Sequence, residues 1–353
     1  MSRFLARERR ALKAYVPGEQ PQDRTYIKLN TNESPFPPSP GVARAVAEES
    51  SLLQLYSDPE SRKLTEMAAE LCGVSPDMVL MTHGSDEILD FAFMTFCGRD
   101  QGAAFPDITY GFYSVFGDLH GVPCEKIPLK EDYSIDYRDY CGISKTIFIA
   151  NPNAPTGLLM PLWQIEEILR TNPDHVVVID EAYADFSGCT AVDLTKKYSN
   201  LLVTRTFSKS YSMAGARLGF GVGAPELIRD LNTIKYSTNP YNVNRLTAAA
   251  GMAALQENDY YMENCRTICR IREETGKALK DLGFLVLPSS SNFLFAKTDD
   301  MDGGLLYEKL KQKGILVRHF DGPRTKDFIR ITVGSQAQME AFLEAVRNIL
   351  KEK

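Results

Sequence analysis

Val176-Val177-Val178-Ile179-Asp180-Glu181-Ala182-Tyr183 is the stretch that decides the fold class. Four apolar residues, three of them valines, run straight into two acids. A strand that is apolar at consecutive positions is covered on both faces, as parallel strands of α/β sheets are. Such sheets bind ligands at the C-terminal ends of their strands, and that is where Asp180 emerges.

Upstream, Thr146-Ile147-Phe148-Ile149-Ala150 reads as another buried strand, broken sharply by Asn151-Pro152-Asn153-Ala154-Pro155-Thr156-Gly157. Helical periodicity over residues 161–170 then leads into the Val176 run, which makes a βαβ crossover whose loop sits beside the acid. Downstream, Leu201 to Thr206 is the next strand. Residues 78–82 and 102–106 add two more, and helices follow at 41–50, 61–72 and from His83 onward. Alternation of strand and helix from Met78 to Val222 implies an α/β fold with one mainly parallel sheet covered by helices on both faces. Beyond Asn244 the pattern changes to helices at 245–254 and 259–282. Short strands then alternate with helices at 304–313 and 336–351, which reads as a smaller α+β lobe.

Leu201-Leu202-Val203-Thr204-Arg205-Thr206 delivers Phe207-Ser208-Lys209-Ser210, and Arg217 lies eight residues past the lysine. A lysine in a partly desolvated, cation-rich pocket has its ammonium form disfavoured, so it acts as an amine nucleophile and forms a Schiff base with an aldehyde. Hydroxyls and Arg217 nearby suit a phosphate. Together they point to an aldehyde carrying a phosphate, pyridoxal phosphate. Gly84-Ser85-Asp86-Glu87 opens a helix whose free N–H groups form an anion cradle, although such residues also serve as plain caps. Tyr110, in the aromatic turn Asp107 to Tyr113, either stacks on a flat ring or simply packs.

Bulk composition narrows the partners. The 353 residues carry 44% hydrophobic and 24% charged side chains, ordinary for a globular chain. A net charge of -6 gives no support for nucleic-acid or anionic-membrane binding. No apolar run is long enough to span a bilayer, and the basic N-terminus lacks the apolar core of a secretory signal. Seven scattered cysteines imply reduced thiols and a cytoplasmic home. Four histidines without ligand spacing argue against a metal centre.

Taken in order, Leu29-Asn30-Thr31-Asn32-Glu33, Gly84 to Glu87, Thr109-Tyr110-Gly111, Asn151 to Gly157, Asp180 to Tyr183, Ser208-Lys209 with Arg217, and Phe328 to Gly334 resemble the fold-type I pyridoxal-phosphate aminotransferases. Within them the chain is similar to the histidinol-phosphate aminotransferase family. The resemblance implies pyridoxal 5'-phosphate as cofactor, a homodimer, and exchange of an amino group between histidinol phosphate and 2-oxoglutarate, giving imidazole-acetol phosphate and glutamate. It also implies three segments: an arm at 1–42 that joins the small domain and the dimer interface, a large domain at 43–245 and a small domain at 246–353.

By the same resemblance Lys209 holds the cofactor and shuttles the substrate proton, while Asp180 pairs with the ring nitrogen. Tyr183 and Asn153 contact the ring's 3' oxygen, and Tyr110 stacks on the ring. Ser85, Asp86, Ser208 and Arg217 hold the phosphate, and Tyr56 reaches it from the other subunit. Arg330 forks onto the anionic group of the substrate, with Tyr15, Asn32 and Tyr241 shaping the pocket. Two positions depart from the family pattern. Ala154 stands where asparagine is usual before Pro-Thr-Gly, and Ile108 replaces a common proline. An aromatic amino-acid aminotransferase and a threonine-phosphate decarboxylase share the constellation. A regulatory relic of the fold would be expected to lose Lys209 or Asp180, and neither is lost.

Overall fold

The computed structural model describes residues 2–352, so Met1 and Lys353, the ends of the expected outer segments, lie outside the described residues. Its strands in chain order are β1 (Ile27–Lys28), β2 (Val79–Thr82), β3 (Ala103–Pro106), β4 (Cys124–Ile127), β5 (Thr146–Ala150), β6 (Val177–Asp180) and β7 (Leu201–Thr206). There follow β8 (Gly219–Gly223), β9 (Phe284–Val286), β10 (Phe293–Thr298), β11 (Ile315–Leu316), β12 (Arg318–His319) and β13 (Ile329–Thr332).

Seven strands form the large sheet in the order β2-β8-β7-β6-β5-β3-β4. All run parallel except β8, which is antiparallel to both β2 and β7. The sheet is therefore mainly parallel, as expected, with one reversed strand inside it. Its pleat sends alternate residues into two cores: Ile147, Ile149, Val177, Ile179, Leu201 and Val203 to one face, Phe148, Val178 and Leu202 to the other. Helices cover both faces, which is why β5, β6 and the first half of β7 are fully buried and read as unbroken apolar runs.

A second sheet, β12-β13-β10-β9, is antiparallel and packs with the helices Gly303–Gln312 and Gln336–Lys351 around its own core. The N-terminal segment ties into this lobe: β1 lies parallel to β11, and Leu29 is buried in the small lobe's core. The expected division at 245/246 falls at the start of the helix Arg245–Gln256. That helix places Ala250, Ala253 and Ala254 in a large-sheet core, because its small residues pack against the helix Pro40–Glu49. The change of core comes along the next helix, Asn258–Asp281, where Tyr261 belongs to the large lobe and Cys265 to the small one.

The sequence alone does not mark the short β1 or the glycine-rich β8, nor three further elements. The aromatic turn continues into a helix, Phe112–His120. Strand β4 is half exposed and reads as polar, and the helix Pro225–Thr238 packs beside the helix Ser85–Phe96.

Candidate active site

The C-terminal ends of β5, β6 and β7 open into a cavity of about 240 Å³. Lys209 and Asp180 both line it, with Ser85, Tyr110, Ser208 and Arg217. The register that pairs Asp180 with Thr204 sets the acid in place. Thr204 Oγ1 donates to one carboxylate oxygen at 3.1 Å and Tyr113 Oη to the other at 3.0 Å. Burial pushes the Asp180 carboxyl up to about 6, against the pull of those two donors. Neither Thr204 nor Tyr113 was singled out from the sequence. A threonine inside an apolar strand, and a tyrosine three residues beyond Tyr110, were the available signals.

Lys209 sits in the turn after β7, anchored by the fully buried Phe207. Its Nζ donates to the Thr31 carbonyl at 3.2 Å and lies 5.9 Å from the centre of the Tyr183 ring. Burial, then the charge of Arg330, lowers the amine to about 8. An amine so placed has a sizeable free-base fraction near neutral pH. Tyr183 accepts a hydrogen bond on its hydroxyl from Asn32 Nδ2 at 2.9 Å. Asn32 has φ of +56° and is itself clamped to β13 through Thr332.

One end of the cavity suits a phosphate. The helix Ser85–Phe96 begins after Gly84, whose φ is +82°, and no side chain caps it. A Cβ at Gly84 would come within 2.8 Å of Arg217 Nη2, so only glycine lets the guanidinium close on the helix start. Behind it, a Cβ on Gly219 would meet the Ser85 nitrogen at 2.6 Å. Arg217 Nη2 contacts the Asp86 carboxylate at 3.0 Å and Nη1 contacts Ser208 Oγ at 3.4 Å. Tyr110 Oη donates to the other Asp86 oxygen at 2.7 Å. The Asp86 side chain is thus an acceptor that orients Arg217 and Tyr110, and only its backbone N–H is suited to an anion. An uncapped helix N-terminus with a hydroxyl and an arginine at one end, an amine beside it and a buried acid beyond match the donor set that pyridoxal 5'-phosphate requires.

A second chamber of about 380 Å³ adjoins the first and shares Thr31, Tyr110, Ala154, Tyr183 and Lys209 with it. Its far wall is Tyr15, Arg318, Phe320 and Arg330. Arg330 Nη2 donates to the Asn30 carbonyl at 2.9 Å, while its Nε is buried without a partner. Burial lowers the Arg330 pKa, yet a guanidinium stays cationic. Arg318 donates to the carbonyls of Pro17 and Val16, both at 3.0 Å. Those bonds hold the strap on which Tyr15 stacks against Phe112, with ring centres 4.3 Å apart.

Three expected residues stand elsewhere. Asn153 accepts from Thr109 Oγ1 and donates to the Ile108 carbonyl and Thr156 Oγ1, so its amide is spent on the loop. Ala154 faces the cavity instead. Tyr56 is 80% exposed and stacks on the half-exposed Tyr241 at 4.5 Å, away from both chambers of its own chain.

The family model for aminotransferase class I and II matches residues 24–346. The chain is 48% identical to a histidinol-phosphate aminotransferase of Brachyspira hyodysenteriae, over 99% of this chain and 100% of that one. Its structure resembles that of the Sinorhizobium meliloti histidinol-phosphate aminotransferase in complex with pyridoxal-5'-phosphate, with a TM-score of 0.84 and 24% identity over 93% and 92% of the two chains. It also resembles an L-threonine-O-3-phosphate decarboxylase of Porphyromonas gingivalis, with a TM-score of 0.78 and 22% identity over 92% and 99%. At those identities the likeness establishes the fold alone.

Proposed function

Because the chain belongs to the class I and II aminotransferases, we propose that it transfers the amino group of histidinol phosphate to 2-oxoglutarate, the transamination of histidine biosynthesis. The cofactor is pyridoxal 5'-phosphate, on which the family depends. The observation that carries the chemistry is the meeting of Lys209 and Asp180 in one cavity with a phosphate-suited helix start. Near-half identity over the full length to a histidinol-phosphate aminotransferase supports the substrate.

Bound there, the cofactor supplies an aldehyde that exchanges with amines and a ring that withdraws electrons from the substrate carbon. The residues of the chain do the rest. Ser85, Ser208, Arg217 and the backbone of Asp86 hold the phosphate. Asp180 would pair as a carboxylate with the protonated ring nitrogen, whose positive charge opposes the burial that raises the acid to about 6 in the cofactor-free protein. Lys209 would hold the cofactor's aldehyde carbon and, when free of it, would carry a proton between the substrate carbon and that aldehyde carbon, which lies two bonds away across the amine nitrogen. Tyr183, kept in line by Asn32, would hydrogen-bond the ring's 3' oxygen. Tyr110, pinned by Asp86, would supply an aromatic face for the ring.

Arg330 grips the anionic end of the substrate, a phosphate in one half-reaction and a carboxylate in the other. Its unpaired Nε and its fork geometry suit both. Tyr15 and Arg318 close the same chamber. We assign the working form to a cytoplasmic homodimer in which Tyr56, exposed in one chain, completes the phosphate site of its partner beside Tyr241. The seven free cysteines are in keeping with a reducing compartment.

Specificity constants on histidinol phosphate, phenylalanine and threonine phosphate test the reading. The highest value is expected on histidinol phosphate. A preference for phenylalanine would make the chain an aromatic aminotransferase, and release of carbon dioxide from threonine phosphate would make it a decarboxylase.

A further inference from the structure

The two lobes also meet away from the chambers, at a contact that no catalytic role accounts for. In the large lobe, the segment after β4 turns at Tyr133, which has φ of +65°. A left-handed aromatic residue is a costly conformation that persists only where the surroundings enforce it. In the small lobe, the loop between β12 and β13 carries Arg324. Its Nη1 donates to the Leu129 carbonyl at 2.8 Å and its Nη2 to the Lys130 carbonyl at 2.5 Å. The guanidinium lies 4.9 Å from the centre of the Tyr133 ring. Tyr133 Oη donates back to the Arg324 carbonyl at 2.8 Å.

From there an aromatic chain leads to the outer chamber. The Tyr133 ring meets Phe328 edge-on at 5.4 Å, Phe328 stacks on Phe295 at 4.4 Å, and Phe295 lies 6.3 Å from Phe320. Phe320 lines the chamber with Arg318 and Arg330 each 5.6 Å from its ring. On the other side, Asp107 accepts from the Leu129 nitrogen at 2.9 Å and lies 3.9 Å from Arg324. Asp107 stands three residues before Tyr110, so the latch reaches both walls.

We infer that Tyr133 and Arg324 are positioning residues for the substrate's anionic group. They latch the β12–β13 hairpin to the large lobe and so set where Arg318 and Arg330 stand relative to Lys209. The inference rests on the reading of Arg330 as the anion grip. Loosening the latch moves the guanidinium groups without breaking any hydrogen bond of Asp180, Lys209 or the phosphate end, and the Lys209 amine feels it only through the charge of Arg330.

The test uses holoenzyme carrying Arg324→Ala or Tyr133→Phe, with 2-oxoglutarate kinetics and inhibition by inorganic phosphate. Arg324→Ala is expected to raise the KM for 2-oxoglutarate and the phosphate inhibition constant together by about tenfold, with kcat within about twofold. The absorbance of the bound cofactor should not change. Tyr133→Phe, which removes only one hydroxyl, should move both constants in the same direction by less. A fall in melting temperature with both constants unmoved would mean the contact only packs the lobes, and a fall in kcat alone would place its effect at the amine. Either result overturns the inference. The phosphate constant does not depend on which amine the enzyme prefers, so a wild-type preference for phenylalanine would remove the proposed substrate and still leave the latch to be judged.

Discussion

The inner and outer chambers meet at Lys209 and are built in opposite ways. Inner groups emerge from neighbouring strand ends of one sheet, and each is tied to the next by side-chain hydrogen bonds: Asp180 to Thr204 and Tyr113, Asp86 to Arg217 and Tyr110. The outer wall gathers Tyr15, Asn30, Tyr110 and Arg330 from segments far apart in the chain. Its principal cation keeps an unpaired Nε. A rigid sheet edge is suited to chemistry that every substrate shares, and a wall drawn from two lobes to anions of different shape. Three of the five left-handed non-glycine residues among the described ones follow the same division: Arg217 at φ +55° serves the inner chamber, while Asn32 and Tyr133 hold the lobes in register.

The largest effect should come from the inner chamber. Lys209→Ala removes the nucleophile and the proton carrier together, so transamination should fall by ~10⁴-fold or more, with loss of the visible cofactor band. Substantial residual turnover would shift the chemistry to another amine and dissolve the contrast between the chambers.

Arg330→Gln probes the outer wall and its reach into the inner one. The KM for histidinol phosphate and for 2-oxoglutarate should both rise by ~10²-fold, because a charge-assisted fork is lost from each complex. Arg330 also holds the Lys209 amine down, after burial itself. Uptake of cofactor by the cofactor-free protein should therefore rise with pH through a midpoint near 8 in the wild type, and that midpoint should move upward in the variant. A variant with raised KM and an unmoved midpoint would mean that the chambers are electrostatically separate.

Tyr113→Phe should have the smallest effect. The tyrosine hydroxyl is the foremost hydrogen bond holding the Asp180 carboxyl down against burial. Its loss should raise that carboxyl further above about 6 in the cofactor-free protein and move the acid limb of cofactor uptake upward, with a loss in kcat of roughly threefold to tenfold near neutral pH. A downward shift would contradict the stated balance between burial and donors.

Those differences in construction also decided what the sequence revealed. Buried parallel strands read plainly, because covering both faces makes consecutive positions apolar, as in Ile147 to Ala150 and Leu201 to Val203: the runs at Thr146–Ala150 and Leu201–Thr206 coincide with β5 and β7. Edge strand β4, with Glu125 and Lys126 exposed, carries no such run. The helix Phe112–His120 was hidden by its aromatic start after Gly111, and with it the placement of Tyr113 against Asp180. Residues of the outer wall are harder still. Arg318 reads as the end of a strand with no site role, since that role comes from folding a second lobe over the first. Asn153 illustrates the limit of motif matching: its position one residue from the expected asparagine turns its amide into the loop, and Ala154 takes the wall.

The account turns on which amine carries the cofactor. Reduction of the holoenzyme with sodium borohydride, followed by proteolysis and mass spectrometry, fixes that attachment as a stable secondary amine. The pyridoxyl group is expected on Lys209, in the peptide that contains Phe207-Ser208-Lys209-Ser210. Recovery of the label on any other lysine, with Lys209 unmodified, would contradict the account.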